Sequence, residues 1–327
     1  MGNAFRLTLP TSMQKKEPVL KRDFQQMVWD EQLAEDVRKL IALAISEDIG
    51  TPGDITTMAL VPQHAVGKAV MQSRQAGVVA GLVAVPTIAL LIDSRLNWEP
   101  ILCDGDAISE GRTPLGTISG PVTSILAVER IILNLVGRLC GIATLTRSYV
   151  DAIAGTNARI YDTRKTTLGW RRLEKYAVRC GGGMTHRTGL FDAILIKDNH
   201  LAFGASADAG TGGRYTPAQA VRKTREWIEH HVQNSMPPLV EIEVDSLEQL
   251  AEVLPESPDI VLLDNMTPER IREAIAMRDK LGVTTELEAS GGVNLKTVRA
   301  IAETGVERIS VGALTHSAIS LDIGLDY

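Results

Sequence analysis

The chain has few cysteines, no long apolar run and no excess of positive charge, and each of these lacks closes off a class of protein. The three cysteines, Cys103, Cys140 and Cys180, have no CxxC spacing and stand beside no pattern of histidine ligands. That argues against a disulfide scaffold or a structural zinc site, and the thiols read as reduced. No stretch approaches the roughly 20 apolar residues of a spanning helix. Residues 1–29 also lack the apolar centre of a secretory signal, so the expected location is cytoplasmic, with no membrane partner. The formal net charge of -6 argues against a general affinity for nucleic acid, which needs a basic surface.

What is present is an ordinary globular composition. A chain of 327 residues that is 44% hydrophobic can hold one barrel-sized α/β domain and a smaller one. Residues 1–24 are polar, carry Pro10 and Pro18 and show no period, as expected of a poorly ordered tail. From Asp30 to Asp48, Leu33, Val37, Leu40, Ile41, Ala44 and Ile45 recur at three- and four-residue steps, the mark of one buried helical face. Residues 67–84 and 96–108 alternate weakly and read as strands of a small sheet. Residues 124–154 return to helical spacing, with Gly137 and Gly141 marking an expected break. The pair Glu129-Arg130 lies inside this helix, where a charged pair is ordinarily a solvated face.

After residue 155 strand-then-helix units repeat. Residues 158–162, 193–196, 239–244, 259–264, 285–290 and 308–312 read as six strands separated by helix-favouring stretches, which predicts a parallel sheet wound as a barrel short of eight strands. Residues 204–213 are small and polar and read as a mobile loop. His230 and His231, at the end of a helix begun by Thr216-Pro217, are expected to face solvent.

Ligands of parallel α/β folds sit at the carboxyl ends of the strands. Here those ends carry Arg164 and Lys165, Lys197, Glu243, Asp264, Ser290-Gly291-Gly292, and Gly312-Ala313-Leu314. The first three residues are cations, the next two carboxylates, and the last two segments expose backbone amides suited to phosphate beside a helix start, with Asn294 as a candidate cap. Glu243 and Asp264 either cap the following helices or meet a divalent cation, its waters or sugar hydroxyls. Lys197 alone also fits a Schiff-base nucleophile. Gly181-Gly182-Gly183 either is a flexible link or lets His186 and Arg187 approach an anion closely.

The runs EDIGTPGDITT (47–57), AVERIILNLVGRLCGIAT (127–144), DTRKTT (162–167), RRLEKYAV (171–178) and GGGMTHRTGLFDAILIKDNH (181–200) resemble the quinolinate phosphoribosyltransferase family. So do EIEVDSLEQL (241–250), LLDNM (262–266), EASGGV (288–293) and ISVGALTHS (309–317), and the likeness extends over residues 38–319. The resemblance implies an N-terminal α/β sandwich of residues 25–138, rejoined by 318–327, beside an incomplete α/β barrel of residues 139–317. It implies phosphoribosyl transfer from phosphoribosyl pyrophosphate to quinolinate with decarboxylation, Mg²⁺ as cofactor, and a homodimer or higher homo-oligomer with shared sites. Carried over by motif, Arg164, His186, Arg187 and Lys197 would serve quinolinate, with Arg130 entering from the other subunit. Lys165, Glu243 and Asp264 would serve the donor and its metal, directly or through water or substrate. Ser290, Gly291, Gly292 and Gly312 would hold the 5′-phosphate, and Thr163, Ala313 and Leu314 would also bind substrate. Leu168, where the family usually has proline, Trp170, where it often has leucine, and the long 204–213 loop depart from the pattern without removing a chemical group. The rival readings are a pyridine phosphoribosyltransferase that does not decarboxylate and a Lys197 aldolase.

Overall fold

The computed structural model describes residues 22–204, 214–233 and 236–327. The expected tail as far as residue 21, and the expected loop beyond Gly204, lie outside the described residues. In chain order, α1 (Glu31–Asp48) and α2 (Ile55–Leu60) precede β1 (Val66–Ser73), β2 (Gly77–Val78), α3 (Val85–Ile92), β3 (Asn97–Pro100), β4 (Ala107–Ile108) and β5 (Thr113–Pro121). The long helix α4 (Val122–Ala152) leads to β6 (Arg159–Tyr161), α5 (Arg171–Cys180), β7 (Ile194–Ile196), α6 (Asp198–Gly204) and α7 (Pro217–His231). Then follow β8 (Val240–Val244), α8 (Leu247–Val253), β9 (Ile260–Asp264), α9 (Pro268–Leu281), β10 (Glu286–Ser290), α10 (Val298–Ala302), β11 (Arg308–Ser310), α11 (Ala313–His316) and β12 (Ile323–Asp326).

The N-terminal half is built on an antiparallel sheet ordered β12-β1-β5-β3. The last strand of the chain thus pairs with the first, Ser73 opposite Ile323. Strand β5 escapes the sequence pattern because Pro114, Gly116 and Gly120 interrupt it. A register shift between Met71 and Gln72 places Pro114 at the irregularity, where a missing N–H costs least. Helix α3 falls between the two expected strand regions and was not anticipated by them. Helix α1 starts where its pattern predicts, with the Asp30 carboxylate accepting the Leu33 N–H at 2.7 Å.

The expected break in the helix of residues 122–152 does not occur. Helix α4 runs unbroken for 31 residues, about 46 Å at 1.5 Å per residue. Its glycines serve close approach instead: a Cβ on Gly141 would lie 2.0 Å from the Ile319 carbonyl oxygen, and the Gly137 carbonyl accepts the Leu321 N–H at 2.9 Å. The segment leading into β12 is thereby laid directly on the α4 backbone.

All six expected strands of the second half are present and parallel, ordered β6-β11-β10-β9-β8-β7. The sheet is a barrel left open between β6 and β7. There Met184 bridges to Tyr161, with its N–H donating to the Ile160 carbonyl at 2.7 Å. Strand alternation gives the sheet two unlike faces. Val240, Ile242, Val244, Val261, Leu263 and Leu287 are buried with no more than 1% exposure, each contributing about 1.5–3 kcal/mol. The alternate positions carry Glu241, Glu286, Glu288, Arg308 and Ser310, all buried. Residues 22–24 do not belong to a free tail as expected, because they close this polar interior. Asp23 pairs with Arg308 at 2.9 Å and accepts the Tyr161 hydroxyl at 2.8 Å, while Phe24 is 4% exposed.

Candidate active site

A cavity of about 830 Å³ opens at the carboxyl ends of the parallel strands. Thr163, Arg164 and Lys165 reach it from the loop after β6, and Lys197 from the end of β7. Glu243, Asp264 and Ser290 close β8, β9 and β10 on it, while Gly291, Gly292, Gly312 and Ala313 follow β10 and β11. His186 and Arg187 come from the segment that fills the barrel's open seam.

Two expected residues are elsewhere. Leu314 is fully buried in the core and does not line the cavity, because α11 turns its side chain inward. Arg130 is exposed on α4 and lines a separate hollow of about 320 Å³ with Glu47, Asp48, Asn134 and Trp170. Four polar residues that sequence reasoning did not select, Asn265, Glu288, Ser310 and His316, also line the cavity, with the apolar Leu195, Leu262, Val293 and Val311. His316 stood within a quoted motif four residues after Gly312, one helical turn into α11, and that spacing was the available signal.

The cationic side is held by buried polar contacts. Lys175 bonds the Asp162 carboxylate and donates to the His186 carbonyl at 2.9 Å, while the His186 N–H donates to Asp162 at 2.9 Å. Phe24 stacks on the imidazole at 4.2 Å between centroids. Nearby, Glu174 accepts the Thr167 hydroxyl at 2.9 Å and pairs with Arg138 at 2.8 Å, fixing the loop that carries Arg164 and Lys165. Arg164 and Arg187 each keep a buried Nε–H without a hydrogen-bond acceptor among the described residues. An unmet buried donor costs about 1–3 kcal/mol, which a bound carboxylate would recover.

His186 Nε2 lies 3.1 Å from Glu241 and 3.6 Å from Glu288. Burial opposes a charged ring, but the two carboxylates outweigh it and raise the proton affinity above the ordinary imidazole value. The Arg187 N–H, however, donates to Nδ1 at 2.8 Å. This contact decides for a neutral ring whose single proton sits on Nε2 facing Glu241.

At the mouth, Lys197 bonds Glu243. An ammonium so engaged has no lone pair for carbonyl attack, which disfavours the aldolase reading. Asp264 accepts the Asn265 side-chain N–H at 2.8 Å, leaving its remaining oxygen capacity toward the cavity. Glu243 and Asp264 stand at the ends of neighbouring strands, and two carboxylates on one cavity could hold Mg²⁺, which takes oxygen ligands. The side opposite the cations is shaped by glycine: Gly291 has φ +91°, and a Cβ there would lie 2.2 Å from Asn265 Oδ1. Asn294 caps a turn, accepting the Lys296 N–H at 3.0 Å, three residues ahead of the Thr297 that precedes α10.

Residues 54–140 match the quinolinate phosphoribosyl transferase N-terminal domain, and residues 142–326 match its C-terminal domain. The chain belongs to the quinolinate phosphoribosyltransferase family. It is 43% identical over 295 residues to the nicotinate-nucleotide pyrophosphorylase [carboxylating] of Mycobacterium leprae, covering 88% of this chain and 96% of that protein. It is 37% identical over 305 residues to quinolinate phosphoribosyltransferase [decarboxylating] 1 of Nicotiana glauca, covering 89% and 82%. The solved nicotinate-nucleotide pyrophosphorylase of Francisella tularensis superposes with a TM-score of 0.81 at 32% identity, covering 93% of this chain and 99% of that one. The family's two-domain architecture is the one observed, an antiparallel-sheet domain followed by the six-stranded parallel sheet.

Proposed function

We propose that the cavity divides its work between a cationic half that binds quinolinate and an acidic, glycine-lined half that binds phosphoribosyl pyrophosphate. The family's reaction, which is this chain's, is decarboxylating phosphoribosyl transfer to quinolinate in NAD synthesis. The observation that carries the division of roles is the gathering of Arg164, His186, Arg187 and Lys197 with Glu243, Asp264 and the two glycine segments around one cavity.

Quinolinate is a dianion, and the guanidinium groups of Arg164 and Arg187 match its carboxylates in charge and planarity. Lys197 completes the quinolinate set, while Lys165 faces the charge that grows on pyrophosphate as the C1–O bond breaks. The electron pair of that bond leaves with pyrophosphate, and the pyridine nitrogen's pair forms the new bond to C1. Glu243 and Asp264 would hold Mg²⁺, directly or through water, and orient the ribose hydroxyls. When bound, Mg²⁺ neutralises pyrophosphate charge. The amides of Gly291, Gly292, Gly312 and Ala313 would receive the 5′-phosphate beside Ser290. Ribosylation leaves a cationic ring nitrogen, so the neighbouring carboxylate departs as carbon dioxide while its electron pair stays on the ring carbon and is protonated there. The side chains need only hold the ring and keep competing reactions out.

The same reading assigns residues 25–138 with 318–327 to the N-terminal domain and 139–317 to the barrel, in a cytoplasmic homo-oligomer. The three unpaired cysteines are consistent with a reducing compartment. No helix of the described residues is long and apolar enough to cross a membrane. The test is turnover with quinolinate, phosphoribosyl pyrophosphate and Mg²⁺. Carbon dioxide and pyrophosphate are expected in equal amounts, and nicotinate turning over as fast as quinolinate at matched concentration would overturn the assignment.

A further inference from the structure

Beneath the cations, the cavity floor carries a carboxylate to which these roles give nothing to do. Glu288 lines the cavity yet is fully buried, and so is Glu241 beside it. The side-chain oxygens of both lack a well-formed hydrogen bond among the described residues. We propose that Glu288 takes up a proton when the pyridine dicarboxylate binds, so that a neutral carboxyl, not a carboxylate, lies under the dianion. This rests on the reading of Arg164, His186 and Arg187 as the quinolinate half of the cavity.

The charges around Glu288 leave it as the group able to change. Arg308, the cation on neighbouring β11, is already engaged by Glu286 and Asp23. Lys175 on α5 is bound to Asp162 at the end of β6 and to the His186 carbonyl. The imidazole N–H faces Glu241 at 3.1 Å and stands off Glu288 at 3.6 Å. Ser310 offers only a neutral hydroxyl, and Phe24 only a ring. Arg164 and Arg187 face the incoming ligand, whose negative charge draws on them and leaves less for the floor.

Burial, reinforced by repulsion from Glu241, pushes Glu288 up to about 7 before any ligand arrives. A dianion placed above it adds repulsion of the same sign and raises it further. The ligand's own carboxylates are ionised well below this pH and take up nothing. The balance is simple: one proton passes from buffer to a carboxylate oxygen, and no other bond changes. The neutral acid then becomes a hydrogen-bond donor inside a pocket otherwise built to receive anions. Uptake is therefore expected near and just above pH 7, where free Glu288 is largely ionised and bound Glu288 is not. Binding should weaken as pH rises through this window, by at most about tenfold per unit.

The experiment is calorimetric titration of the full chain with quinolinate at about pH 7.5 in two buffers of different ionisation enthalpy, such as PIPES and Tris. The dependence of observed heat on buffer enthalpy reads the protons taken up. The wild type should take up a substantial fraction of one proton, and Glu288→Gln, nearly isosteric, should bind quinolinate with uptake abolished and affinity flat across pH 7–8. The pH dependence of the wild-type Kd supplies the same number without any variant. Heat independent of buffer together with a pH-independent Kd overturns the inference while leaving the quinolinate site standing. Unchanged uptake in Glu288→Gln overturns the choice of Glu288, and so does a tightly bound metal ion copurifying with the wild type and lost in that variant. Absence of any quinolinate binding overturns the site reading and the inference with it.

Discussion

Asp264 sits where a small chemical change is most informative. Its carboxylate ends β9 on the cavity and has one oxygen accepting the Asn265 side-chain N–H at 2.8 Å. Replacement by Asn keeps the shape and removes the charge. Asp264→Asn should lower kcat/KM on the order of 100-fold and blunt the response to Mg²⁺, while calorimetry shows quinolinate binding little changed. Normal donor binding and rate in that variant would exclude the role. Most cavity residues were legible from strand ends alone, because Lys197 and Asp264 directly terminate apolar runs and Glu243 and Ser290 stand at the ends of alternating strands. Glu288 and Glu241 were not, since a charged residue one step inside a strand reads as surface alternation. Only closure of the sheet around them turns that face inward. Phe24 was hidden for a different reason: in sequence it lies in a polar segment, and its partner His186 is 162 positions away, so only the fold brings the two rings to 4.2 Å.

At the scale of elements, the long helix α4 shows how a correct pattern can carry a wrong inference. Two glycines in a helix lower its intrinsic propensity by about 1 kcal/mol each, and that penalty suggested a break. The helix persists because the glycines admit the backbone of residues 319–321, a packing partner nearly 180 residues downstream and absent from any local window. Gly141→Ala should therefore destabilise despite its higher helix propensity, since its Cβ would lie 2.0 Å from the Ile319 oxygen and 2.9 Å from the Ile319 carbonyl carbon. A lower thermal midpoint than wild type is expected, whereas Ser148→Ala, exposed on the same helix, should leave it nearly unchanged. An equal or higher midpoint for Gly141→Ala would show that the contact relaxes freely. The six parallel strands were readable because each is a short apolar or alternating run followed by helix-favouring sequence. Strand β5 was not, because its proline and glycines break the pattern, and Pro114 is accommodated beside a bulge at Leu115 in β5 itself.

For the molecule as a whole, Arg130 is the informative residue, exposed on α4 and lining a hollow separate from its own chain's cavity. If that hollow seats a second copy, Arg130→Ala and Glu243→Gln damage different halves of each composite site. Two nearly inactive variants, mixed to full subunit exchange in equal amounts, should then regain about a quarter of wild-type turnover, because half the dimers are mixed and each has one intact site of two. Complete exchange, verified by mass, without recovered activity would show that Arg130 does not act in trans.

The pairing of β1 with β12 also bears on how the chain is made. Arg74 meets Asp322, a residue 248 positions later, so the outer edge of the first sheet stays open until the whole barrel sequence between them has been made. A nascent chain must carry that unpaired edge past the ribosome while the whole barrel is still emerging, the circumstance in which strands pair with the wrong neighbour. The antiparallel sheet is begun before the barrel and completed after it, and residues 323–326 are the ones that seal its edge.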